Sequence, residues 1–169
     1  MKLIGLGSNL PAAPWGEPIG VCRAALARFP EVGMTVVDLS RWYRTAPVPA
    51  SDQPWFVNGV ARIETTLDAR DTLDALLSIE AAMGRRRLER WGPRVIDLDL
   101  LAWDDRVTAE TDTAAGLVLP HPRLYERAFV LKPLADVAPD WRDPRSGQSV
   151  DRLLAALPSD QTALPFDER

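Results

Sequence analysis

The stretch Arg90-Trp91-Gly92-Pro93-Arg94-Val95-Ile96-Asp97-Leu98-Asp99-Leu100-Leu101 constrains this chain more than any other. Its second half alternates apolar and acidic residues, the period of a β-strand, so Ile96, Leu98 and Leu100 share one face. Asp97 and Asp99 share the other, with Cα atoms about 7 Å apart. Two carboxylates on an otherwise apolar strand repel each other and are costly to desolvate; a positive partner relieves both costs. Hard divalent cations such as Mg²⁺ take oxygen ligands, and two of them roughly 4 Å apart fit between such carboxylates. Arg85, Arg86, Arg87, Arg90 and Arg94 lie just upstream, and Gly92-Pro93 turns the chain into the strand. Acid for metal beside arginine for phosphate is what phosphoryl transfer needs. The plainer alternative is a solvated strand face in a chain with eighteen Arg and two Lys.

A length of 169 residues fits one domain, 1–169, with a sizeable core, and the 46% hydrophobic and 26% charged content is ordinary for a globular chain. The net charge of −4 argues against general nucleic-acid binding, and the local basic cluster suits a small anionic ligand better. Cys22 is the single cysteine, which excludes an intrachain disulfide and fits a reducing compartment. His121 is the single histidine, so no multi-histidine metal site exists. No apolar run approaches transmembrane or signal-peptide length. The expectation is a cytoplasmic monomer with no membrane or nucleic-acid partner.

Taken in order, Lys2 to Leu6 reads as a short buried strand ended by Gly7-Ser8-Asn9. The lone Gly-x-Gly is a weak phosphate signal, and no P-loop lysine follows. Ile19, Cys22, Leu26 and Phe29 form a helical stripe stopped by Pro30, which makes Cys22 core filler rather than a nucleophile. Met34 to Thr45 reads as one strand, Ala46-Pro47-Val48-Pro49 as an extended loop, and Trp55 to Thr65 as the next strand. On that strand Trp55, Val57, Ala61 and Ile63 share one face, and Phe56, Asn58 and Val60 the other. An aromatic ring beside an amide suits a flat heterocycle, although spacing alone favours Phe56 as core and Asn58 as a cap on a local backbone group.

Asp68 to Met83 reads as a helix closed by Gly84, with Leu73, Leu76, Leu77 and Met83 on its buried stripe. Glu80 shares that stripe and needs a partner, either a structural ion pair or a ligand. Gly84 to Arg94 is a basic loop holding Trp91, expected to be mobile when empty and to close over an anion. After the Asp97/Asp99 strand, Pro120-His121-Pro122-Arg123 forms a rigid loop. Tyr125 to Ala135 is helical with a break near Pro133, Val150 to Leu157 is a short helix, and the last residues fray. The order is βαββαβ plus C-terminal additions. That is an α+β, ferredoxin-like antiparallel sheet with its helices on one side.

With these pieces placed, the chain resembles the 6-hydroxymethyl-7,8-dihydropterin pyrophosphokinases of folate biosynthesis. The resemblance is carried by Gly7-Ser8-Asn9-Leu10, Tyr43-Arg44-Thr45, Asp52-Gln53-Pro54, Asn58, Glu80, the block from Arg90 to Asp99, and Pro120-His121 with Arg127 and Phe129. It implies a ferredoxin-like enzyme that moves pyrophosphate from ATP to the pterin hydroxymethyl oxygen and releases AMP. By the same resemblance Asp97 and Asp99 hold two Mg²⁺ ions, and Arg85 and Arg94 act with them at the transferring phosphates. Glu80, Arg87, Arg90, Trp91, Arg94, His121 and Arg127 bind ATP. Phe56 and Phe129 sandwich the pterin, and Asn58, Thr45 and Val48 read its polar edge. ATP is expected to bind first and to help assemble the pterin site.

Three departures stand out. The loop from Gly84 to Trp91 is shorter than in some members, so the roles of Arg86 and Arg87 are not told apart by the resemblance. Phe56 stands where tyrosine is frequent, and Pro122 where some members carry an aromatic residue. Two rival readings remain at this point. A two-metal nucleotidyltransferase also joins a Gly-Ser turn to Asp-x-Asp, but usually close in sequence. A ferredoxin-like RNA-binding or regulatory module would want a basic-aromatic strand signature that is missing here.

Overall fold

The computed structural model describes residues 1–84, 95–108 and 116–166. Its elements are β1 (Lys2–Ser8), α1 (Pro18–Ala27), β2 (Met34–Leu39), β3 (Trp42–Thr45), β4 (Phe56–Thr65), α2 (Ala69–Ala82), β5 (Asp97–Trp103), α3 (Ala128–Val137), α4 (Val150–Ala155) and β6 (Ala163–Phe166). One sheet runs β5-β1-β4-β3-β6, with β2 also on β4, and every pairing is antiparallel. The βαββαβ core is therefore present.

The sheet is covered on both faces, which is why β1 has an apolar residue at nearly every position. Ile4 and Leu6 enter a cluster with Ile19, Cys22, Leu76 and Ile79 of α1 and α2. Leu3, of the opposite parity, joins Leu131, Leu134 and Leu153 of the C-terminal helices. The two core helices thus share one face, and the additions close the other. Cys22 is fully buried and its thiol is pushed up to about 12 by that burial, as suits core filler. Among the described residues no helix is long and apolar enough to cross a membrane.

Four local expectations are corrected. The single strand from Met34 to Thr45 is two strands, because Ser40 interrupts it. The Ser40 hydroxyl accepts the Val60 N–H at 3.0 Å while its own N–H donates to Val60 O at 3.0 Å, so β2 and β3 share β4 end to end. Leu77 is not on the buried stripe of α2: burial follows Thr72, Leu76, Ile79 and Glu80 and leaves Leu77 36% exposed. Helix α3 runs through Pro133 without a break, starting at Ala128 rather than Tyr125. Pro133 is buried together with Val130, Leu131, Leu134 and Val137, and that packing outweighs the one hydrogen bond a proline removes. The C-terminal residues do not all fray: Ala163–Phe166 pair with β3, and Pro165 is tolerated because β6 is an edge strand among the described residues. Helix α2 begins as expected, with Asp68 capping the Asp71 N–H at 2.8 Å.

Candidate active site

A row across the sheet organises the site. Strand β1 lies between β4 and β5, so Gly7 pairs with Asn58 on one side and with Asp97 on the other. Two residues along, Gly5 pairs with Val60 and with Asp99. All these positions face one cavity. Because both central residues are glycine, the floor between the amide and the carboxylates is bare backbone. A Cβ on Gly7 would lie 2.8 Å from Asn58 Oδ1, and one on Gly5 would lie 3.3 Å from the Leu101 side chain. Sequence reasoning missed this role of the two glycines. The available signal was their spacing of two inside a strand, which marks one face where something approaches the backbone closely.

The amide end of the cavity is ordered by neighbours. Asn58 Nδ2 donates to Thr45 Oγ1 at 2.6 Å, and both residues are buried. Asn9 Nδ2 donates to Gln53 Oε1 and to Pro54 O, each at 3.3 Å, which ties the loop before β4 to the end of β1. Val48 comes from the neighbouring loop and is exposed, while Phe56 opens β4; both line the cavity. Phe129 enters from the first turn of α3 and is half-buried, and the Arg127 guanidinium stands 5.1 Å from its ring centroid.

The carboxylates occupy the other end. Asp97 and Asp99 are half-buried and line the cavity on the face opposite Leu98 and Leu100, as the alternation requires. Among the described residues no third His, Cys, Asp or Glu completes a protein-only metal cage with them. Two carboxylates open to a cavity fit Mg²⁺, which keeps waters and takes substrate phosphate oxygens rather than demanding a full protein shell. Burial lowers the Arg127 pKa from its ordinary value, opposed by the negative charge of Asp99 and Asp97.

His121 flanks β5: its N–H donates to Leu101 O at 2.8 Å. Burial, then the positive charge of Arg127, pushes its imidazole down to about 4, with Asp97 pulling the other way. The Arg123 N–H donates to His121 Nδ1 at 3.3 Å, so Nδ1 is the acceptor and the neutral ring keeps its proton on Nε2. Glu80 does not line the cavity; its Oε1 accepts the Leu98 N–H at 2.6 Å.

The structure therefore brings Thr45, Val48, Phe56, Asn58, Asp97, Asp99, Arg127 and Phe129 to one cavity. It sets His121 within electrostatic reach of Arg127 and Asp97. The expectations placed on Arg85, Arg86, Arg87, Arg90, Trp91 and Arg94 lie outside the described residues.

Residues 3–139 match the family model described as 7,8-dihydro-6-hydroxymethylpterin-pyrophosphokinase. A 2-amino-4-hydroxy-6-hydroxymethyldihydropteridine pyrophosphokinase of Pseudomonas aeruginosa is 45% identical over 155 residues, covering 92% of this chain and 90% of its own. One of Synechocystis sp. is 40% identical over 153 residues, covering 90% of this chain and 73% of its own. Among solved structures, the Plasmodium falciparum HPPK-DHPS protein with pteroate superposes with a TM-score of 0.66 at 13% identity. That match covers 91% of this chain but only 41% of the Plasmodium chain, and it speaks to the fold.

Proposed function

The chain belongs to the 7,8-dihydro-6-hydroxymethylpterin-pyrophosphokinase family and is a pyrophosphokinase of folate biosynthesis; on that premise we propose that it transfers the terminal diphosphate of ATP, with Mg²⁺, to the hydroxymethyl group of 6-hydroxymethyl-7,8-dihydropterin. The hydroxymethyl oxygen bonds the β-phosphorus, and the bond from that phosphorus to the oxygen bridging to the α-phosphate breaks. AMP leaves with that oxygen, and the hydroxyl proton passes to solvent. The observation that carries the reading is the Asn58–Gly7–Asp97 row, which puts a heterocycle-reading amide and a metal-suited carboxylate on one floor, separated by one bare strand.

Each residue has a task that follows from its place. Phe56 and Phe129 give the pterin two ring faces, and Asn58, oriented by Thr45, offers a donor and an acceptor to its polar edge. Asp97 and Asp99 would hold two Mg²⁺ ions, which would supply charge neutralisation at the phosphates and favour loss of the hydroxyl proton. Arg127 and the neutral His121, through Nε2–H, donate to nucleotide phosphate oxygens. No covalent enzyme intermediate is required; positioning and charge neutralisation carry the rate.

Incubation with ATP, Mg²⁺ and the hydroxymethyl pterin, followed by mass analysis, should yield AMP and the pterin diphosphate in equal amounts. Release of inorganic pyrophosphate instead would mean nucleotidyl transfer and would sink the reading.

A further inference from the structure

Strand β5 carries both metal-suited carboxylates, yet among the described residues it ends the sheet and has a strand partner on one side only, β1. An edge strand is held by half the usual ladder and is the part of a sheet most free to slip. The register between β1 and β5 is also irregular: it shifts between Leu3 and Ile4, so Leu100 pairs with Ile4 and Ala102 with Leu3. A slip by one residue would turn Asp97 and Asp99 into the apolar layer and Leu98 toward the cavity.

One side chain stands against that slip. Glu80 is 2% exposed, sits on the buried face of α2, and its Oε1 meets the Leu98 N–H at 2.6 Å. Leu98 is the residue between the two aspartates. A carboxylate accepting a backbone N–H makes a charge-assisted bond, and burial strengthens it. Helix α2 packs against β5, so this bond fixes the strand to the helix at the one residue that sets the facing of both aspartates. An apolar residue at position 80 would fill the same space and leave the N–H unpaired.

We propose that Glu80 is a positioning residue for the metal pair, acting through the Leu98 N–H to hold Asp97 and Asp99 toward the cavity. This rests on the reaction proposed above. Glu80 would then tune the site without touching the metal.

The test compares Glu80→Gln, which keeps an acceptor of nearly the same reach, with Glu80→Met, which keeps the length and loses the acceptor. Two readouts are taken: exchange of the Leu98 amide by NMR, and Mn²⁺ half-saturation by paramagnetic resonance in the presence of α,β-methylene ATP. Glu80→Met should speed Leu98 exchange and raise the Mn²⁺ half-saturation by about 10–100-fold, the range for losing a group that orients metal ligands. Glu80→Gln should leave both near wild type. Equal impairment in the two variants would show that the charge, not the acceptor, matters, and would overturn the proposal. So would an unchanged Mn²⁺ half-saturation in Glu80→Met. Neither readout needs turnover, so a wild-type protein that makes no AMP refutes the reaction separately from the positioning role. Should Glu80→Met not fold, Glu80→Gln decides alone: Leu98 exchange and metal binding both near wild type support the proposal, and weakened metal binding overturns it.

Discussion

Thr45 holds Asn58: the amide Nδ2 donates to the threonine hydroxyl across 2.6 Å, with both side chains removed from water. The bond fixes which end of the amide is the donor and which the acceptor at the cavity. Thr45→Val keeps the shape and removes the acceptor, leaving a buried N–H unpaired. Pterin affinity should fall by about 1–3 kcal/mol, the cost of an unsatisfied buried partner, while ATP affinity stays level. Calorimetric titration with each ligand checks this; an equal loss for both would mean a general disturbance of the sheet.

Gly7→Ala should harm the same ligand by a different route. The new Cβ would meet Asn58 Oδ1 at 2.8 Å, closer than real contacts allow, and would stand in the open floor beside Asp97. The amide must swing away from Thr45, so the KM for pterin should rise at least as much as in Thr45→Val. Gly5→Ala makes a looser contact, 3.3 Å from a leucine that can shift, and should be milder. Reversal of that order would remove the floor from the explanation.

Asp97→Ala and Asp99→Ala should each lower turnover by orders of magnitude and leave the melting temperature close to wild type. Each deletes a charge that balances the metal at the transferring phosphate. Both are half-buried and lie outside the apolar clusters. Near-normal activity in either variant would reject the metal assignment.

Phe129→Ala should weaken pterin binding by about 1–3 kcal/mol, on the scale of aromatic–base stacking. Arg127 packs over the same ring, so some loss of ATP affinity should accompany it, smaller than the pterin loss. Competition titrations with the two ligands separate these effects.

The His121 imidazole gives a pH signature. Its folded pKa lies near 4 against 6.5 unfolded, so the unfolded chain binds the proton more readily. This contribution to stability is whole above pH 6.5 and declines as pH falls toward 4. The melting temperature should drop through that window, and His121→Asn should flatten that part of the curve. A wild-type curve that climbs on acidification would contradict the burial of a neutral ring.

Much of this was readable beforehand wherever periodicity and burial agree. The Asp97/Asp99 alternation survives in the folded chain because Leu98 and Leu100 go to a real apolar layer. Phe56, Asn58 and Val60 share the cavity face for the same reason. What escaped depends on partners distant in the chain. Ser40 looks like any strand residue until Val60 is placed opposite it. Pro133 looks like a breaker until its neighbours are seen in a core. The two glycines of β1 look like a turn signal until strands on both sides give their missing side chains a meaning. Glu80 offered an ion pair or a ligand as readings, and the structure adds a third, a backbone amide from another element.

The placing of β1 between β4 and β5 also fixes an order of events during synthesis. Of the strands in this sheet β1 is made first, and it is an interior one. Its partners are encoded in the middle of the chain and later, so the floor of the cavity cannot close until β5 has been made. Until then an apolar strand, Leu3-Ile4-Gly5-Leu6, waits with one edge open even after β4 has paired with it, which is the condition that invites wrong pairing between nascent chains. The long separation between paired strands also makes folding slow relative to a helical chain of this size.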